Sequence, residues 1–175
     1  SFQIASQNAL AELAKSLTSK TVAIVGYLDQ VDGAPQNMVA VISDGVVSAR
    51  YAKCHLPNYG VFDEFRNFVA GDKTLVVRIH GVDVGIAICE DLWIDGGITS
   101  QLAARKPGLV IVPNGSPYER NKDDVRLALV SKRARQASAP LVYVNMTGGQ
   151  DDLVFDGDSI VVGADGAVIA RAPQF

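Results

Sequence analysis

Cysteine and histidine are scarce in these 175 residues: Cys54, Cys89, His55 and His80 are all there are. Two thiols are too few for a disulfide framework. Cys54-His55 cannot reach one metal ion together from consecutive strand positions, and no second cluster exists to complete a site, so no metal centre is expected. Positive charge is slightly short as well, with 16 Lys and Arg against 19 Asp and Glu and a formal net charge of -3. That balance leaves no basic footprint for nucleic acid. No apolar run is long enough to span a bilayer and no signal peptide opens the chain, which argues against a membrane partner and for a reducing cytoplasm, where a Cys54–Cys89 disulfide would not persist. Phosphate-cradling loops, the dinucleotide fingerprint, repeats and low-complexity tracts are also missing.

What remains is ordinary globular material, 48% hydrophobic and 20% charged. The length fits one domain over residues 1–175, able to bury about two-thirds of its unfolded surface. Ile4, Leu10, Leu13, Ala14 and Leu17 predict an amphipathic helix over residues 2–17. A strand follows at 21–27, then a polar loop over 29–36, then a hairpin of 37–43 with 46–54 around Asp44-Gly45. Further strands are expected at 74–79, 82–88, 109–113, 141–146, 159–163 and 167–171, with helices at 97–106 and 123–137. On the second helix Arg126, Lys132, Arg133 and Arg135 read as the polar face, and Gly148-Gly149 reads as a turn.

The chain is organised around Val84-Gly85-Ile86-Ala87-Ile88-Cys89-Glu90-Asp91-Leu92-Trp93, a buried strand that runs directly into a cysteine followed by two acids. Alternation places Gly85, Ala87 and Cys89 on one side, so the sulfur shares its face with the smallest side chains. A structural thiol and a strand-end nucleophile both fit that run. Lys53 extends the apolar face of Val47, Ala49 and Tyr51, and a lysine there either snorkels to water or faces an anion. The long segment after it carries Tyr59, Phe62, Phe65 and Phe68, which either cover a pocket or pin the loop to the core. The unit strand, cysteine, helix, strand, serine brings Cys89 and Ser116 to the carboxyl ends of two nearby strands. His80 lies at the wrong end of the cysteine strand and His55 among loop residues, so neither makes a convincing base for the thiol.

The block Lys53-Cys54-His55-Leu56-Pro57-Asn58-Tyr59-Gly60-Val61-Phe62-Asp63-Glu64, then Ile88-Cys89-Glu90-Asp91-Leu92-Trp93, then Asn114-Gly115-Ser116-Pro117, resembles the nitrilase, or carbon-nitrogen hydrolase, superfamily. Within it the sequence is most similar to the glutaminase domains of glutamine-dependent NAD synthetases. The resemblance implies an α/β fold, the α-β-β-α sandwich of two mixed sheets between helix layers. It implies that Cys89 is the nucleophile and Lys53 the cation at the oxyanion, a pairing whose chemistry is sound because a nearby ammonium favours the thiolate and a charge at the oxyanion lowers the barrier. Glu64 is implied to hold the lysine, and the amide of Glu90 to offer a second oxyanion donor. Glutamine contacts are implied at Tyr59, Ser116 and Lys122. No cofactor is expected in this domain. ATP and Mg²⁺ belong to a synthetase domain, the implied partner, and homo-oligomers are the rule in the superfamily.

Two departures accompany the resemblance. The general base of the family is a glutamate closing a strand before the opening helix, and no residue here occupies that place, Glu12 being on the polar side of the helix. The chain is thus expected to be incomplete at both ends, without the N-terminal strand region and the synthetase half, and to turn over little by itself, since losing a general base removes a factor of about 10²–10⁴. A free-standing amidase for another small amide and a non-catalytic assembly module are the competing expectations.

Overall fold

The computed structural model describes residues 2–17, 20–120 and 122–175, with only the backbone of 122–124. They form two compact units, residues 1–73 and 74–175.

In the first unit, helix α1 (Phe2–Ser16) precedes strands β1 (Ala23–Val31), β2 (Ala34–Ser43) and β3 (Val46–Ala52), which pair antiparallel in that order. Leu10 and Ala14 of α1 bury against Ala40 and Ile42, with Val25, Tyr27 and Val47 around them. The apolar stripe is narrower than its spacing suggests, because Ile4 and Leu13 are exposed. Polar groups complete the docking: Gln7 Nε2 donates to Asp29 Oδ1 (2.6 Å), Gln3 Nε2 to the Asp29 carbonyl (3.0 Å), and the Leu28 amide to Ser6 Oγ (2.9 Å). The polar loop expected over 29–36 is instead the tip of a hairpin. Asp32 and Gly33 have φ of 51° and 81°, nearly the values of Asp44 and Gly45 at the next turn (52° and 81°), the paired positive angles of a two-residue hairpin. After β3 the chain wanders through residues 53–73 and returns beside it, where the Gly71 amide donates to the Lys53 carbonyl at 2.8 Å. A Cβ at Gly71 would meet the Ala52 carbonyl oxygen at 2.5 Å, so this return requires glycine.

The second unit opens with the antiparallel pair β4 (Leu75–Ile79) and β5 (Val82–Ile86). Then come α2 (Ile98–Ala104), β6 (Leu109–Asn114), α3 (Lys122–Ala137), β7 (Leu141–Asn145), β8 (Thr147–Gln150), β9 (Leu153–Asp156), β10 (Ile160–Val162) and β11 (Val168–Arg171). Six of these strands make a mixed sheet in the order β11-β10-β7-β6-β5-β4, with β5, β6 and β7 parallel. The two α-helical crossovers leave the carboxyl ends of β5, β6 and β7 on one edge, where open α/β sheets hold their chemistry. Gly148 and Gly149, expected in a turn, lie in β8 and pair with Phe155 and Val154 of β9. Glycines weaken a strand signal, and only the pairing with the apolar β9 sequence rescues it.

Candidate active site

The first unit contributes a buried cation. Lys53 follows β3, its backbone fixed by the Asn37 carbonyl on one side and the Gly71 amide on the other. Its side chain is only 3% exposed, and Nζ meets Glu64 Oε1 at 2.6 Å. Glu64 opens a single 3₁₀ turn, Glu64–Arg66, and its amide donates to the Pro57 carbonyl. The second carboxylate oxygen, Oε2, is buried without a hydrogen-bond partner among the described residues. Tyr59 stands further along the loop, 57% exposed, its ring edge-on to Phe62 at 5.7 Å.

The second unit contributes the thiol. β5 stops at Ile86, two residues earlier than expected, although the Ala87 amide still donates to the Ile111 carbonyl of β6. Cys89 then turns the chain itself, at φ 41°, and begins a 3₁₀ turn over Cys89–Leu92. A left-handed backbone at a non-glycine residue costs on the order of 1 kcal/mol and signals a functional constraint when the surroundings enforce it. They do so here. Asp91 Oδ2 accepts the Ile88 amide at 3.0 Å, the Asp91 amide donates to the Ile88 carbonyl at 2.9 Å, and Arg133 Nε grips the Leu92 carbonyl at 2.6 Å. Simple alternation therefore fails at its last residue: Cys89 faces where this turn aims it, not where strand geometry would. Glu90, also buried, is the second residue of the turn, where backbone N–H groups point out of the N-terminal end.

Ser116, beyond the end of β6, is buried and held by its main chain. Its amide donates to Asn145 Oδ1 (2.9 Å), while its carbonyl accepts Arg126 Nη2 (3.0 Å) and Asn145 Nδ2 (3.3 Å). The same Nη2 also reaches the Pro117 carbonyl at 2.9 Å, and Nη1 spans both Asp156 oxygens at 2.8 and 2.7 Å. Arg126 and Arg133 thus belong to the core rather than to the polar face of α3, because each has fixed acceptors awaiting it. Tyr143, also fully buried, brings its hydroxyl within hydrogen-bonding reach of Ser116 and into the field of Cys89. Burial above all, and then the field of Cys89, pushes its pKa far above the usual phenol range.

Of the residues singled out from sequence, Lys53 and Glu64 are directly paired, and Cys89, Glu90 and Ser116 lie at one edge of the second sheet. Tyr59 is exposed on its loop, and the Lys122 side chain lies outside the described residues. Asn145, Arg126, Asp156 and Tyr143 were missed. Asn145 did carry a signal, a polar residue closing an apolar strand just as Cys89 closes another. Among the described residues no cluster of three His, Cys, Asp or Glu side chains could hold a metal ion.

The carbon-nitrogen hydrolase family model matches residues 4–175. The glutamine-dependent NAD(+) synthetase of Xanthomonas campestris pv. campestris is 44% identical over 172 residues, which cover 97% of this chain and 31% of that protein. The solved glutamine-dependent NAD+ synthetase of Acinetobacter baumannii, in complex with adenosine diphosphate, matches with a TM-score of 0.91 at 40% identity, over 97% of this chain and 32% of that one. An amidase from Nesterenkonia sp. AN1, with the acetamide moiety of fluoroacetamide covalently added at its active site cysteine, matches with a TM-score of 0.84 at 25% identity, over 98% of this chain and 64% of that one. The chain accordingly spans about a third of the length of the synthetases it matches.

Proposed function

The chain belongs to the carbon-nitrogen hydrolase family and has the α/β nitrilase fold, and from that premise we propose that residues 1–175 form a glutaminase domain that releases ammonia for a glutamine-dependent NAD synthetase. The observation that carries the reading is Cys89 itself, held at a positive φ by Asp91 and Arg133 at the sheet edge that also carries Ser116. In the proposed reaction the Cys89 thiolate attacks the side-chain amide carbon of glutamine. The oxyanion that forms is met by the Lys53 ammonium and the Glu90 amide, with Glu64 keeping the lysine in place. Collapse of the tetrahedral species breaks the C–N bond and expels ammonia, leaving a glutamyl thioester. Water then hydrolyses the thioester to glutamate and restores the thiol. The family's glutamate base moves the protons, and the resemblance puts it upstream of α1. Ser116, Tyr59 and Lys122 are assigned to the amino-acid end of glutamine, where a cation at a helix start suits a carboxylate.

The partner in this reading is a synthetase domain that uses ATP and Mg²⁺ to amidate deamido-NAD, with a cytoplasmic location and homo-oligomeric assembly as further parts of the proposal. No described helix is long and apolar enough to cross a membrane. The test is ammonia release by the full-length protein from glutamine against a panel of other small amides, together with labelling of Cys89 by an electrophilic glutamine analogue. Turnover confined to glutamine and abolished in Cys89→Ala is expected. Preference for another amide would make the protein a different amidase, and neither turnover nor labelling would leave a non-catalytic module.

A further inference from the structure

Asn145 closes β7 with a side chain that behaves as one more peptide group. The paired residues of β6 and β7 end at Asn114 and Asn145, and the Met146 amide still donates to the Asn114 carbonyl at 3.0 Å. Past that point the buried Asn145 carboxamide takes over: Oδ1 accepts the Ser116 amide at 2.9 Å, and Nδ2 donates to the Ser116 carbonyl at 3.3 Å. Nδ2 also donates to the Gly157 carbonyl at 2.9 Å, so the acceptor and both donors are engaged. No other short side chain carries one acceptor and two donors in a single plane. The Ser116 amide belongs to the peptide unit before that residue and the carbonyl to the unit after it. Each unit is planar, so holding both fixes the direction of the Ser116 Cα–Cβ bond. Arg126 completes the circuit, reaching the Ser116 carbonyl through Nη2 and Asp156, the chain neighbour of Gly157, through Nη1. Arg126 meets this loop at the carbonyls of Ser116 and Pro117, whereas Asn145 sets the amide side. With its N–H and C=O both engaged inside the protein, Ser116 offers a ligand its hydroxyl.

We propose that Asn145 is a positioning residue for substrate, aiming the Ser116 hydroxyl at bound glutamine by holding the peptide units on either side of it. This inference rests on the assignment of Ser116 to glutamine made above. That assignment puts Ser116 at the amino-acid end, away from the amide carbon, so its hydrogen bond is made equally in the ground and transition states. Loss of aim is therefore felt in KM and not in kcat. A purely structural role makes the reverse forecast: fewer folded molecules, each with a normal KM.

Asn145→Ala in the full-length protein removes the carboxamide and keeps Ser116. The expected result is a KM for glutamine raised about three- to tenfold, the worth of one neutral hydrogen bond, with kcat per Cys89 titratable by iodoacetamide changed less than about twofold. In Ser116→Ala, which should raise KM to a similar extent, adding Asn145→Ala should raise it no further, since both act through one hydroxyl. An unchanged KM with activity falling only in step with the titratable thiol, a kcat loss at constant KM, or additive effects of the two substitutions would each overturn the inference. Asn145→Asp keeps the shape and the acceptor for the Ser116 amide but gives up both donors, and it carries the same KM test should Asn145→Ala fail to fold. If neither variant folds, Asn145 serves the fold alone and the inference falls. A readout that needs no turnover is the rise in melting temperature that glutamine gives to Cys89→Ala, which Ser116→Ala and Asn145→Ala should each diminish. No rise at all, or one that Ser116→Ala leaves intact, removes the assignment on which the inference rests. A rise that Ser116→Ala diminishes and Asn145→Ala does not overturns the inference alone.

Discussion

Lys53 and Arg126 are both buried cations facing a carboxylate, one in each unit, and they are held in different ways. Arg126 and Asp156 have side chains 0% and 1% exposed, joined through Nη1 to both carboxylate oxygens, and the second guanidinium nitrogen is used on the Ser116 and Pro117 carbonyls. Lys53 touches Glu64 at one oxygen, the carboxylate is 18% exposed, and its other oxygen has no partner among the described residues. A planar fork with fixed acceptors cannot move without losing several bonds at once, whereas an ammonium is a point charge with three donors, of which this pair uses one. The first arrangement clamps a backbone. The second keeps a charge in place with capacity left for an anion, which is what the proposed oxyanion role needs.

The comparison makes opposite forecasts for the two removals. Arg126→Met strands the Asp156 carboxylate in the core and frees the loop at Ser116, so unfolding free energy in urea should fall by about 3–5 kcal/mol. Arg126→Lys should recover little of it, because one ammonium cannot serve acceptors spread across a fork. Lys53→Met leaves a carboxylate that is partly exposed to water, so the expected stability loss is smaller, about 1–2 kcal/mol. Ammonia release by the folded Lys53→Met protein should nevertheless drop about 10²–10³-fold, as when one oxyanion donor is removed. Equal stability losses, with turnover falling only as far as the folded fraction, would erase the distinction.

Much of this was legible because it is local. The apolar run before Cys89, the Asp44-Gly45 turn and the crossover that brings Ser116 to the same edge as Cys89 can all be read from neighbouring residues. Asp32-Gly33 carries the same turn signal as Asp44-Gly45 and adopts nearly the same angles, yet Asp29, Gln30 and Pro35 around it made the stretch look like loop. Asp29 is tolerable in a strand because Tyr27 and Gln7 hydrogen-bond to its carboxylate, and the latter comes from another element. Arg126 and Arg133 failed for the same reason on a larger scale. Helical periodicity assigns charge to solvent, and the acceptors that overrule it, Asp156 and the Leu92 carbonyl, lie 30 and 41 positions away in the chain.

A third pair, at the surface, sets the lower end of the comparison. Asp95 is 72% exposed and receives hydrogen bonds from Lys132 Nζ at 2.8 Å and Arg133 Nη1 at 2.7 Å. Those hydrogen bonds, and then the charges of the same two residues, hold its carboxyl below the usual carboxylate range. Because the folded value lies below the unfolded one of about 3.9, the pair stabilises the fold above that unfolded value, and the contribution is lost as pH falls through the folded one. Asp95→Asn should therefore lower the urea midpoint slightly at neutral pH, less so in high salt, and the two proteins should converge in acid. Such a result would place Asp95 with the exposed pairs, where charge matters and geometry does not. A gap that persisted in acid would mean that Asp95 serves Arg133 as an acceptor needed to aim it at the Leu92 carbonyl, and Arg133 would then join Arg126 as a clamp, this one on the cysteine turn.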